Sequence, residues 1–455
     1  MRIDVLPDDV LLEIFDFYVD ISQWDARKEI EAWQLLVHVC RRWRNIVFGS
    51  PRRLNLRLYC TPQTPAKDRL DVWPTFPLII AGDVKSVSDM DNVIAALGQS
   101  NRVRQVNFGG RQLEKVLAAM QVSFPELTHL CLCSYGETLV IPDPFLGGSA
   151  PRLRYLAFKG TPILGLPKLL LSATQLVELC LYGIPHSGHI SPKEMVASLS
   201  LLPCLEELSL VLQSPQSRPD WESQSLPTPK RSILPALNNF YFKGVTEYLE
   251  ELVACIDTPQ LDRIGLTFFN QIDFDFPRLA QFINITPNLW ASYTAEVDFD
   301  DSAADIIFRY PTFKNRPRML LIAISCEEPD WQLSAIEQVC NSSLPTFSTV
   351  QDLSIKHQYW EESLWKDDAI ENSLWLEVLL PFTAVTNLYL SYESAPGIAA
   401  ALQELDGGRM TEVLPSLQNI FVDGLELLGS FRENIGQFVA ARQLSDHPIV
   451  ISDQG

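Results

Sequence analysis

Six segments of this 455-residue chain repeat one form, Pro-x-Leu-x-x-apolar-x-apolar, and no other feature constrains the fold as strongly. They are Pro125-Leu127-Leu130-Leu132, Pro151-Leu153-Leu156-Phe158, Pro203-Leu205-Leu208-Leu210, Pro235-Leu237-Phe240-Phe242, Pro259-Leu261-Ile264-Leu266 and Pro415-Leu417-Ile420-Val422. Looser copies without the proline lie at Val103-Val106-Phe108, Leu176-Leu179-Leu181, Val350-Leu353-Ile355 and Val385-Leu388-Leu390, and fainter ones at Val297-Phe299 and Met319-Ile322-Ile324. The last two apolar positions of a copy alternate with polar ones, which predicts a short strand with one buried face. Amphipathic helical patterns separate the copies, over residues 112–121, 192–201, 246–256 and 398–405. A strand followed by a helix, stacked on similar units, predicts an α/β array in which each unit packs on its neighbours. Spacings of 23 to 35 residues make that array irregular. Pro287-Asn288-Leu289 opens a further copy that the next residues do not complete, so the count between 270 and 345 stays open.

The first fifty residues follow a different period. Leu6-Pro7-Asp8-Asp9-Val10-Leu11-Leu12-Glu13-Ile14-Phe15 reads as a helix N-terminus, because Pro7 pre-sets the first helical φ and Asp8 and Asp9 place negative charge in the first turn. Val10, Ile14 and Tyr18 are expected on one face, with Leu11 and Phe15 widening the stripe. Leu36, Val39, Cys40, Trp43 and Val47 recur at helical spacing opposite Arg41, Arg42 and Arg44, which predicts a helix ending at Gly49-Ser50-Pro51. Roughly ten large apolar side chains are thin for a self-sufficient core at this size, so this module is expected to pack on something else.

The spacing Leu-Pro, Ile-Phe, Val-Cys-x-x-Trp resembles the F-box, the motif that docks substrate receptors onto the Skp adaptor of cullin-based ubiquitin ligases. Leu6, Pro7, Ile14, Phe15, Val39, Cys40 and Trp43 match the family pattern position by position. The link from Asp20 to Gln34 is longer than usual, either an extra turn or a lengthened second helix. Residues 33–58 look like F-box proteins of mushroom-forming fungi. The resemblance implies adaptor docking by helix-in-groove burial through Leu6, Pro7, Val10, Ile14, Phe15, Leu36, Val39, Cys40 and Trp43. The Leu-x-x-Leu-x-Leu core of the repeats resembles the leucine-rich repeat, although the family's Asn after the strand is absent. That implies a solenoid, a horseshoe with strands on the concave face and helices outside. The expected organisation is an F-box helical module over 1–58, a connector and first capping repeat over 59–102, and an irregular repeat solenoid over 103–455 with a loop insertion at about 213–232.

Composition narrows the partners. A net charge of −20 disfavours general nucleic-acid or anionic-membrane binding, since phosphate contact needs clustered Lys and Arg. No stretch reaches the roughly 18 apolar residues of a spanning helix. Asp4, Asp8 and Asp9 precede any apolar run, unlike a secretory signal. Nine scattered cysteines fit reduced thiols of the cytosol or nucleus better than a disulfide framework.

Signatures of chemistry are sparse. His186-Ser187-Gly188-His189 is the close histidine pair, with no cysteine or second pair at zinc spacing. Cys131-x-Cys133 places two thiols on one face of a predicted strand and lacks the further ligands a metal needs. Neither a Gly-x-Ser-x-Gly elbow, a phosphate loop nor a Gly-x-Gly-x-x-Gly after a strand occurs. No cofactor or metal is expected, and the chain is read as non-catalytic. Two stretches leave the array. Residues 213–232 hold four prolines, with Ser214-Pro215 and Thr228-Pro229 as proline-directed dipeptides that also abound in loops without a role. Residues 356–375 mix Tyr359, Trp360, Trp365 and Trp375 with acids, either a binding lip or a capping helix.

The resemblances together imply the substrate-recognition subunit of a Skp-cullin-F-box ligase, with the Skp adaptor, through it a cullin, and a protein target as partners. The alternative is a non-catalytic repeat scaffold without ligase association. In each copy the residues on either side of the second apolar position alternate away from the core. That yields Tyr155, Glu207, Asn239, Tyr241, Arg263, Asp352, Asn387, Tyr389 and Phe421 as the expected target surface.

Overall fold

Each Pro-x-Leu copy builds a turn before it builds a strand. In the computed structural model of this chain, the Leu of every copy donates its N–H to the carbonyl three residues earlier, Leu127 to Phe124, Leu153 to Ala150, Leu205 to Leu202, Leu237 to Leu234, Leu261 to Thr258 and Leu417 to Leu414, at 3.1–3.4 Å. The proline therefore occupies the second turn position, where its fixed φ suits a β-turn and its missing N–H forfeits no bond. The next residue donates to the equivalent carbonyl of the preceding repeat, as Thr128 does to Arg104, Arg154 to Thr128, Asn238 to Glu206 and Asp262 to Asn238. The two apolar positions then enter the core, and Leu130, Leu132, Leu156, Phe242, Ile264, Leu266, Ile420 and Val422 are all buried. Each such side chain contributes on the order of 2 kcal/mol.

The structure describes residues 6–21, 26–63, 66–111, 113–135, 141–161, 166–185, 188–213, 231–269, 274, 276–289, 292–313, 316–326, 329–342, 344, 346–357, 372–405, 409, 411–424, 429–444 and 447–453. They divide into two compact units, Met1–Leu176 and Val177–Gly455.

The first unit opens with three helices, α1 (Asp8–Ile21), α2 (Ala26–Val39) and α3 (Arg41–Gly49). The long link is thus resolved in part as a lengthened second helix. Two expectations are corrected. The inner stripe of α1 is Leu11, Phe15 and Val19, whereas Val10, Ile14 and Tyr18 lie on its exposed side. The second helical segment is broken at Cys40, which adopts an extended backbone (φ −158°) and caps α3 by accepting from the Trp43 N–H at 3.4 Å. Arg42 ties α3 to the start of α1 through Asp8 (2.6 Å) and the Leu6 carbonyl (2.5 Å). As its thin core predicts, the module packs on the segment immediately C-terminal to it. Trp33 lies edge-on to Phe48, Trp73 and Phe76, with ring centroids 6.4, 5.1 and 5.6 Å away.

Five parallel strands come next, β1 (Leu58–Cys60), β2 (Leu78–Val84), β3 (Val103–Gly110), β4 (His129–Ser134) and β5 (Tyr155–Lys159), neighbours in that order. Helices α4 (Ala66–Val72), α5 (Val87–Leu97), α6 (Glu114–Ala119) and α7 (Leu166–Leu170) connect or succeed them. A Ser86/Asp89 capping box fixes the start of α5. Parallel pairing begins at Leu58, the last residue of the expected helical module, and continues into the stretch expected to be a connector.

The second unit holds β6 (Glu178–Ile184), β7 (Glu207–Leu212), β8 (Ser232–Ile233), β9 (Asn239–Gly244), β10 (Ile256–Asp257), β11 (Arg263–Phe269), β12 (Thr294–Phe299), β13 (Ala303–Phe313), β14 (Arg316–Ser325), β15 (Asp352–His357), β16 (Asn387–Leu390), β17 (Asn419–Val422) and β18 (Val450–Asp453). Its helices are α8 (Pro192–Leu199), α9 (Thr246–Ala254), α10 (Pro277–Ile285), α11 (Pro329–Cys340), α12 (Asn372–Leu379), α13 (Ala395–Gln403) and α14 (Gly429–Leu444). The sheet order is β6-β7-β9-β11-β14-β13-β12-β15-β16-β17-β18, while β8 and β10 pair separately. Ser232 therefore belongs to a strand and not to the loop insertion; residues 214–230, with Ser214, Pro215, Thr228 and Pro229, lie outside the described residues.

The open stretch between 270 and 345 resolves into a reversal. Leu289 makes its turn bond to Thr286, but β12 starts five residues later, against two for β11 after Leu261. The Asp300 carboxylate then accepts from the Ser302 and Ala303 N–H groups at 2.7 and 2.8 Å, folding the chain back. β13 consequently runs antiparallel to both β12 and β14, whereas β14 is parallel to β11 and β12 to β15. Trp375 is buried in α12 and so belongs to the core; Tyr359, Trp360 and Trp365 lie outside the described residues.

Candidate functional site

The nine residues predicted to dock an adaptor do not share one role. Phe15, 1% exposed, packs against Trp43 with centroids 4.7 Å apart and planes tilted by 58°, and Leu36 is also buried, so both hold the three helices together and are out of a partner's reach. Leu6 and Trp43 are half-buried, Pro7 and Cys40 exposed. Val10, Ile14 and Val39 are exposed, Val39 at 59%. Tyr18, and Phe17 and Leu35, which the sequence reading did not single out, extend this apolar surface of α1 and α2. What the sequence reading missed is that Leu11 and Phe15 form a buried stripe with Val19, distinct from the exposed one of Val10, Ile14 and Tyr18.

All nine residues expected to meet a target are half-buried on the strand face opposite the core. Tyr155 is in the first unit; the other eight, in the second, fall into two groups on either side of β14, β13 and β12. On β7, β9 and β11, Asn239 donates to Glu207 at 2.8 Å, the Tyr241 hydroxyl lies 3.2 Å from that of Thr267, and Arg263 donates to the Pro317 carbonyl at 3.0 Å. Gly265 lets the Tyr241 ring lie over the neighbouring strand, since a Cβ there would sit 2.8 Å from the ring. Glu178, absent from the expectation, adds a second carboxyl beside Glu207, and burial followed by Glu207 raises its pKa. On β15 to β17 the amide of Asn387 donates to Asp352 at 2.6 Å and that of Asn419 to Asn387 at 2.8 Å. Tyr389 and Phe421, register partners, stack with centroids 4.8 Å apart and 13° between planes. Burial, then Asp352, raises the Tyr389 pKa.

The first unit also carries a cleft of about 530 Å³ between its helical module and the strand face. Its floor is a row of register partners, Tyr59, Ile79, Gln105, His129 and Tyr155. His129 stacks on Tyr155, centroids 6.0 Å apart, and its Nδ1 lies 2.8 Å from the Thr128 hydroxyl. Burial, followed by Arg57, Arg104 and Arg154, lowers its pKa. The alternation rule that picked Tyr155 picks His129 and Cys131 equally when applied to the Pro125 copy, so the signal for this floor was present and unused. Cys131 and Cys133 share the outward face of β4, and hydrogen bonding from Cys131 brings the Cys133 thiol down to about 7, with Lys159 assisting.

All nine cysteines are free thiols. Among the described residues no group of three or more His, Cys, Asp or Glu is placed to hold a metal ion, and no helix is long and apolar enough to cross a membrane. His186 lies outside the described residues.

No family model matches the chain, and no curated protein matches it. Among solved structures, it is similar to the leucine-rich repeat-containing protein LegL7 from Legionella pneumophila, at 11% identity over 84% of this chain and 98% of that one, with a TM-score of 0.29.

Proposed function

We propose that this protein is the substrate-recognition subunit of a Skp-cullin-F-box ubiquitin ligase, its N-terminal helices docking the Skp adaptor and its leucine-rich-repeat-like strand face holding a protein target. The observation that carries this reading is the apolar outer surface of α1 and α2, where Val10, Ile14, Phe17, Tyr18, Leu35 and Val39 are all exposed on a short helical module. Exposed apolar side chains recurring at helical spacing on a short module suit an interaction site. Ile14 and Val39 in it are positions of the F-box pattern, which makes the adaptor its expected occupant. The receptor supplies binding alone: the ligase raises the effective concentration of a target lysine near the conjugating enzyme, and bond-making belongs to other subunits. Such a subunit works in the cytosol or nucleus, and the fungal F-box likeness of residues 33–58 is part of the same reading.

Co-expression with the Skp adaptor and a cullin tests it. Substitutions belong at exposed positions, because Trp43→Ala would remove the ring that Phe15 packs on. Stoichiometric co-purification of wild type, lost in Ile14→Asp/Val39→Asp with an unchanged circular dichroism spectrum, is the expected result. Absence of any complex with folded wild type would leave the scaffold reading in its place.

A further inference from the structure

The cleft of the first unit collects positive charge in a chain of net charge −20. Arg57 lines it, and Arg104 and Arg154 flank the floor residues Gln105 and Tyr155. All three bear electrostatically on His129, which lines the cleft beside Arg57. Neither Arg104 nor Arg154 pairs with a carboxylate among the described residues. The carboxylate lining the cleft, Asp16, already faces Arg53 at 3.8 Å. Guanidinium groups at and beside a concavity suit an anion, which they can grip through planar, bidentate donors.

The rest of the lining also favours donors. Trp33 is 2% exposed, lines the cleft, and its indole N–H has no hydrogen-bond partner. A buried donor left unmade costs about 1–3 kcal/mol. Gln105 and Asn107 add amide donors, while Tyr59, Ile79 and Tyr155 provide flat apolar surface. A volume of about 530 Å³ is within the range of small-molecule sites.

We propose that this cleft binds a small, multiply charged anion of the phosphate-ester class. Its charge is held by Arg57, Arg104 and Arg154 with His129, and its body lies along the row from Tyr59 to Tyr155. The site is separate from the outer surface of α1 and α2, so it stands or falls independently of adaptor docking.

The test uses the purified full chain and calorimetric titration with inorganic pyrophosphate, alongside a phosphoserine peptide. The variants are Arg104→Glu/Arg154→Glu, both exposed, and a control of equal charge change on exposed helix positions, Lys115→Glu/Lys193→Glu. Saturable pyrophosphate binding, weakened at least tenfold in the arginine variant and unchanged in the lysine control, is the expected result. No saturable binding, or an equal loss in the control, overturns the site. Saturable binding of the peptide without that of pyrophosphate overturns the small-molecule assignment in favour of a phosphorylated protein segment.

Discussion

Adjacent residues of α1 give the sharpest test of how the N-terminal helices are used. Phe15 is 1% exposed and Ile14 is 46% exposed. Phe15→Ala deletes a ring that contacts Trp43 at 4.7 Å and leaves a cavity at the centre of three short helices, a loss of about 3–5 kcal/mol. Ile14→Ala removes surface area with no core contact, so stability changes by no more than about 0.5 kcal/mol. The assay is hydrogen exchange read by mass spectrometry on peptides from residues 8–49, because a global melt of a 455-residue chain dilutes a local change. Each 1.36 kcal/mol of local opening energy is a factor of ten in exchange rate. Phe15→Ala is therefore expected to speed exchange on the order of 100-fold, up to the limit set by the module's own stability, and Ile14→Ala hardly at all. Adaptor capture should show the reverse specificity per unit of stability lost, with Ile14→Ala weakening it about tenfold while the helices stay protected. Equal exchange in both variants, or undisturbed protection in Phe15→Ala, would refute the division of α1 into a core side and a docking side.

Three further outcomes rest on the chemistry of single groups. Cys133, lowered to about 7 by its Cys131 partner, should be alkylated by iodoacetamide with a rate that rises through about pH 7, and Cys131→Ser should move that midpoint upward. Asp305 is raised to about 6 by burial and then by Asp300 and Asp298, so the folded state holds its proton more tightly than the unfolded state, whose carboxyl titrates near 3.9. Its contribution is fully present below about pH 4 and lost as pH rises through 6, so Asp305→Asn should raise the urea midpoint at pH 7 relative to wild type and leave it unchanged at pH 4. Arg442 is 0% exposed and donates to the Leu414 and Pro415 carbonyls at 3.0 and 3.2 Å; the Leu417 N–H still serves the Leu414 carbonyl, so Arg442→Leu strands the Pro415 carbonyl and should cost about 1–3 kcal/mol, read as a lower urea midpoint at constant slope.

The repeating strands were legible because their instruction is local: one proline, one turn and two apolar positions lie within eight residues. The reversal at β13 was not, since it depends on the Asp300 carboxylate capping two N–H groups in a stretch where the copy opened by Pro287 is never completed. The helix break at Cys40 was hidden by residue type, because a thiol is an uncommon N-cap and the apolar period runs straight through it. The floor of the cleft draws one side chain from each of five strands, so no window of sequence contains it. Even so, its members obey the same alternation that located Tyr155.

The two ends of the proposed receptor reach the surface by different physics, and that difference shapes what each can recognise. A surface helix ordinarily has one apolar stripe, yet α1 buries Leu11, Phe15 and Val19 while exposing Val10, Ile14, Phe17 and Tyr18. The outer stripe adds nothing to the fold of the isolated chain, so an occupant that buries it gains the whole of that transfer energy. On β15 to β17 the situation is reversed. Asp352, Asn387 and Asn419 already satisfy one another across the strands. A partner that competed for those amides would exchange one set of hydrogen bonds for another at little net gain. The stacked faces of Tyr389 and Phe421 make no such prior commitment, and rigid rings concentrate interface energy. Recognition on that part of the sheet should therefore run through an apolar or cationic group laid on the ring pair, with the asparagine ladder setting its position.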